Sequence, residues 1–76
     1  MDQWVRITVR CYAGYQADEK PTSFLLEGNR FDVVEILERW YDLDSSCFKV
    51  LTESGTVYLL RHDLNTDHWE LSERIT

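Results

Sequence analysis

Residues 4 to 12 alternate, with Val5, Ile7, Val9 and Cys11 on one side and Arg6, Thr8, Arg10 and Tyr12 on the other. A period of two predicts a half-buried strand in which Cys11 packs as a small apolar residue. Residues 13 to 21 break the alternation with Gly14, three charges and the only proline, Pro21. They predict a connecting loop, in which Tyr15 either pins the loop to the core or faces a partner. Next comes the strongest local signal, Phe24-Leu25-Leu26-Glu27-Gly28-Asn29-Arg30-Phe31-Asp32-Val33. It predicts a hairpin with a two-residue turn at Gly28-Asn29. Leu26 then faces Phe31, Phe24 faces Val33, and Glu27 pairs with Arg30 at the mouth.

Beyond Val33 two periodicities compete. Val33, Ile36, Leu37 and Trp40 fit a helical stripe, and Asp32 with Glu35 mimics a capping box. A helix starting at Asp32 would leave the second hairpin strand about two residues long, too short for firm pairing. A long bent strand with a bulge near Val33-Val34 keeps the pairing and turns Ile36 and Trp40 toward the core. Asp42 to Ser46 is a polar turn. The runs 48–52 and 56–61 flank Glu53-Ser54-Gly55, a three-residue hairpin loop that pairs Val50 with Tyr58 and Phe48 with Leu60. Asp63 to Asp67 is a further turn, and His68 to Ser72 is a closing strand with Trp69 and Leu71 inward. The expected fold is all-β, about six short antiparallel strands in a meander forming a small barrel. A barrel hides strand edges in a chain too short for two full sheets. The alternative is α+β, with one short helix at 32–41.

The 76 residues suffice for one domain, 1–76, and 43% of them are hydrophobic, with three Trp, four Tyr and three Phe. A core this small needs large aromatics, which supply much apolar area per ordered residue. Fourteen acids against eight bases leave a net charge of −6. This acidic field repels phosphate backbones and anionic lipids, and so argues against nucleic acid or membrane as the main partner. Arg6 and Arg10 share a face but make a weak patch. The chain shows no signal peptide, and no apolar run nears the roughly 18 residues a span needs. Cys11 and Cys47 are expected as reduced thiols in the cytoplasm.

Pro21 and Phe24, Gly28, Arg30, Val33, Glu35-Ile36-Leu37, Arg39-Trp40, Phe48-Lys49-Val50, Gly55, Tyr58, Leu60-Arg61, Asp63 and Trp69 form a recognisable pattern. It resembles a family of short bacterial domains of unknown function. Its members are free-standing or appended to proteins resembling translesion DNA polymerases. The match covers residues 21 to 71, and Arg39-Trp40 is its most specific element. The resemblance implies a bacterial, cytosolic, β-rich domain and brings no activity, cofactor or catalytic residue.

Candidate chemistry is sparse. His62-Asp63 are neighbours in a strand, so their side chains point to opposite faces, and no nucleophile motif accompanies them. Cys11, Cys47, His62 and His68 lack the close cysteine pair of structural zinc sites. Asp42, Asp44, Ser46 and Glu53 match calcium-loop spacing, but Cys47 stands where that loop requires glycine. Glu35 and Glu38 have no acid/base spacing, and the three glycines stand singly. The chain is therefore expected to be no enzyme and to hold no metal or cofactor. The best candidate is a protein-interaction surface of Arg39, Trp40 and Tyr41, joined by Tyr12 and Tyr15 and rimmed by Glu38, Asp42 and Asp44. The expected function is a non-catalytic interaction module, with an auxiliary role in DNA metabolism or repair as the alternative.

Overall fold

The computed structural model describes residues 4–12 and 20–72. Six strands follow one another: β1 (Val5–Tyr12), β2 (Lys20–Leu26), β3 (Asn29–Asp42), β4 (Ser45–Thr52), β5 (Val57–Asp63) and β6 (His68–Ser72). Each successive pair is antiparallel, and β1 also pairs with β6, so the meander closes into a barrel. Residues 32–41 are strand, and no helix occurs among the described residues.

Closure rests on two bent strands. β1 lends residues 5–7 to β6 and residues 8–12 to β2. β3 lends residues 29–32 to β2 and residues 33–42 to β4. Bulges interrupt the register between Arg10 and Cys11, between Val33 and Glu35, and between Ile36 and Glu38. An extra residue bends a strand and raises its twist, which lets so small a sheet curl onto itself.

The sequence-based turns need correction in detail. β2 begins at Lys20, so Pro21 lies in a strand and not in the loop; it is buried opposite Cys11, beside the extra residue Thr22. A bulge is one of the few places where a strand tolerates the missing proline N–H. The β2–β3 turn is Glu27-Gly28, one residue earlier than expected, and Phe24 faces Phe31. Glu27 and Gly28 have φ of 51° and 82°. Two consecutive left-handed residues match the twist of the strands they join, and glycine favours the second position. Arg30 stands opposite Leu25 and bonds Asp32 at 2.9 Å, so the expected Glu27–Arg30 pair is absent. Phe24, Leu26, Phe31 and Val33 still share the inner face, because the displaced turn changes partners by two positions and preserves parity.

The β4–β5 hairpin matches expectation. Val50 faces Tyr58, Phe48 faces Leu60, and Gly55 has φ 88°. The β3–β4 turn is tighter than expected, since Ser45 and Ser46 already belong to β4. Ile7, Phe24, Phe48, Val50, Tyr58, Leu60, Trp69 and Leu71 form the core. Phe24 stacks on Phe31 at 5.3 Å and meets Tyr58 edge-on at 5.5 Å. Each fully buried aliphatic or phenyl side chain contributes about 1.5–3 kcal/mol.

Candidate interaction surface

A flat strand alternates with period two, but the far half of β3 repeats every three residues. Val34 is the extra residue of one bulge and Leu37 that of the next. Each bulge inserts one outward residue, so Val33, Ile36 and Arg39 are half-buried while the pairs between them are exposed. The outer side carries Val34-Glu35, Leu37-Glu38 and Trp40. This period of three lies near the helical 3.6, which is why the segment imitates a helical stripe. Ile36 packs against the core as expected. Trp40 does not: the second bulge turns it outward, where it stands opposite Cys47 and is 39% exposed.

Arg39 takes the inward position that Trp40 was expected to fill. Its guanidinium lies 5.3 Å from the centroid of the Phe48 ring. Arg39 Nη2 donates to the phenolic oxygen of Tyr41 at 3.0 Å. Tyr41 projects from the barrel end, 68% exposed. Beyond it the chain reverses at Leu43-Asp44, where Leu43 has φ 28° and is fully exposed. The Leu64 N–H donates to the Asp44 carbonyl at 2.8 Å, which ties the β5–β6 turn to the β3–β4 turn. Exposed Leu64 thereby joins Leu43 at the same end. Glu35, Glu38, Asp42, Asp44 and Asp67 stand exposed among these apolar groups.

Arg39, Trp40 and Tyr41 are therefore all accessible in part, on two sides of one strand. Tyr15 lies outside the described residues, and Tyr12 enters only as the backbone end of β1, opposite Lys20. Sequence reasoning missed Val34, Leu37, Leu43 and Leu64. Leu43 between two aspartates was a readable signal, because a leucine in a two-residue turn has no core to enter.

Trp40 also begins a row of outward residues that crosses the barrel through Cys47, Arg61, Glu70 and Arg6. Arg61 bonds Glu70 Oε1 through Nε at 3.1 Å and Nη2 at 2.6 Å, and stacks its guanidinium 4.2 Å from the Trp4 ring. Burial pushes the Cys47 thiol above its usual range; Asp42 adds to this and Arg61 opposes it.

Asp63, His62 and Asp67 make hydrogen bonds in and beside the β5–β6 turn. Asp63 Oδ1 accepts from the Asn65 and Thr66 N–H groups at 2.9 and 3.3 Å, which holds its carboxyl below the ordinary value. His62 bonds Asp67 and not Asp63, at 2.6 Å, and lies parallel to Trp69 with centroids 4.4 Å apart. Asp42 and Ser46 flank a tight turn, while Glu53 follows the opposite end of β4. Among the described residues, no three His, Cys, Asp or Glu side chains form a group that could hold a metal. No described helix is long and apolar enough to cross a membrane.

No protein-family model matches the chain, and no curated protein or solved structure shows significant similarity to it.

Proposed function

We propose that this chain is a bacterial cytosolic protein-interaction module without catalytic activity. It binds through the far half of β3, along its outer side and at the barrel end where Tyr41 projects, and through the two turns beside that end. One observation carries the reading. Of the eight large apolar residues exposed among the described residues, six stand there: Val34, Leu37, Trp40, Tyr41, Leu43 and Leu64. Scattered surface leucines need no explanation, but concentration on one strand and its adjoining turns does. Desolvated Trp, Tyr and Arg are the side chains that most often dominate interface energies. The interspersed carboxylates select a basic partner and speed its approach at low salt. The closed barrel and bulged β3 favour side-chain contact over addition of a partner strand.

Photocrosslinking tests this. A benzophenone side chain at Leu43 should give a discrete crosslinked product in the source cell, and one at Leu25 should not. Trp40→Ser combined with Leu64→Ser should abolish that product while the fold persists. A product formed equally from Leu25, or unaffected by the double variant, would remove the proposed surface. Salt-dependent gel shifts with DNA address the auxiliary role in DNA metabolism; tight binding there would replace the protein-binding reading.

A further inference from the structure

The charges are unevenly placed. Among the described residues, β1, β2, the turn between β2 and β3, and residues 29–32 carry four bases, Arg6, Arg10, Lys20 and Arg30, against two acids, Glu27 and Asp32. The remaining strands and turns hold most of the acids. Among the described residues, this side of the barrel thus carries more bases than acids, while the chain as a whole has a net charge of −6.

A groove of about 270 Å³ lies on that side, lined in part by Thr8, Arg10, Ser23, Leu25 and Arg30. Its construction follows from the register. Arg10, Ser23 and Asp32 form one cross-strand row, and Thr8, Leu25 and Arg30 form the next. The two arginines therefore stand diagonally on β1 and β3, with backbones about 12 Å apart across β2 at ordinary strand spacing and rise. Between them Ser23 is small and buried, which makes the depression. Thr22, the extra residue of the β2 bulge, donates its hydroxyl to the Arg10 carbonyl at 3.0 Å and fixes the backbone from which Arg10 extends. Asp32 engages Arg30 through Nε at 2.9 Å and so orients that guanidinium. Leu25 is 46% exposed and gives the groove an apolar wall.

We infer that this groove binds a small organic phosphate, with the phosphate between Arg10 and Arg30 and the organic part on Leu25. Two guanidinium groups and the hydroxyls of Thr8 and Ser23 supply enough donors for the oxygens of a phosphomonoester dianion. The groove's volume suits a single phosphate with a small ring, and the net charge opposes a polyanion.

The test is a titration of the isotopically labelled chain with phenyl phosphate and, separately, with inorganic phosphate, read by amide and arginine Nε chemical shifts. Saturable shifts confined to Thr8, Arg10, Ser23, Leu25 and Arg30 are expected. Arg10→Gln and Arg30→Gln should each weaken phenyl phosphate binding at least about tenfold. Both side chains are exposed, and the spectra report directly whether each variant folds. Leu25→Ser should weaken phenyl phosphate but leave inorganic phosphate unchanged. Shifts that scatter without saturating, or unchanged affinity in both arginine variants, overturn the inference. Tighter binding of a single-stranded oligonucleotide than of phenyl phosphate at these residues also overturns it, in favour of a nucleic-acid surface.

Discussion

Arg39 and Tyr41 stand two residues apart on β3, joined by a 3.0 Å hydrogen bond from the guanidinium to the phenolic oxygen. The same guanidinium covers Phe48, so one side chain closes the barrel end and steadies an exposed aromatic. Arg39→Ala should cost about 1–2 kcal/mol, from the lost cation–π contact and hydrogen bond. Tyr41→Phe removes only the hydrogen bond and should cost less than about 1 kcal/mol. Urea denaturation of both variants checks the order; equal losses would mean that the Phe48 contact contributes nothing.

The period of three along β3 makes neighbouring residues unequal. Leu37→Thr changes an outward bulge residue and should alter stability by less than about 0.5 kcal/mol. Ile36→Thr places a hydroxyl against the core and should cost about 1–3 kcal/mol. Thermal melts of the two proteins should differ by several degrees, with Ile36→Thr the lower.

Glu27 occupies a left-handed position with φ 51°, ahead of Gly28 at 82°. Asparagine tolerates that conformation better, and Asn-Gly is the preferred pair for such a turn. Glu27→Asn should therefore stabilise by about 0.5–1 kcal/mol. A side chain at Gly28 would touch nothing within 4 Å, so the cost of Gly28→Val is conformational only. It should be about 1–2 kcal/mol or somewhat more, since valine is β-branched. Denaturation midpoints moving in opposite directions would confirm the turn; unchanged midpoints in both would refute it.

Asp63 links stability to acid. Its carboxylate accepts two backbone N–H groups, so its folded pKa lies below the unfolded value of 3.8. The unfolded chain then takes up this proton first as pH falls. The contribution is fully present above the unfolded pKa and is lost as pH drops through the folded one. Asp63→Ala should lower stability at pH 7, and the difference from wild type should shrink below about pH 3.8.

Cys47 links stability to base with the opposite sign. Burial raises its folded pKa above 9.0, the ordinary value for the thiol. The unfolded chain loses this proton first as pH rises, so the native state weakens from about pH 9 upward. Cys47→Ala should flatten that part of the profile. In the native protein Cys47 should react with a thiol reagent far more slowly than in urea, because the thiolate is both scarce and covered.

Much of the barrel was legible in the chain because alternation and turn chemistry are local. The inward residues of β1, β4, β5 and β6 follow from a period of two, and the pairing of Val50 with Tyr58 follows from a three-residue loop with Gly55 at its left-handed position. Even the misplaced turn at Gly28-Asn29 left Phe24, Leu26, Phe31 and Val33 on the correct face, since parity survives such a shift.

The first bend of β3, the bulge at Val33-Val34, was expected from the chain; only the tertiary structure decided the second, at Leu37. That strand must leave β2 after Asp32 and follow β4, and the extra residues Val34 and Leu37 lie where closure of the whole sheet demands added twist. Nothing within ten residues of Trp40 encodes the closure of β1 onto β6, yet that closure belongs to the same curvature that places Trp40 outside and Arg39 inside. The placement of Leu43 and Leu64 at one end of the barrel is likewise non-local, made by the Leu64–Asp44 hydrogen bond between two turns that are distant in sequence. Strand faces are set by neighbours along the chain. The surface that projects from the barrel is set by neighbours across it, and no periodicity records those.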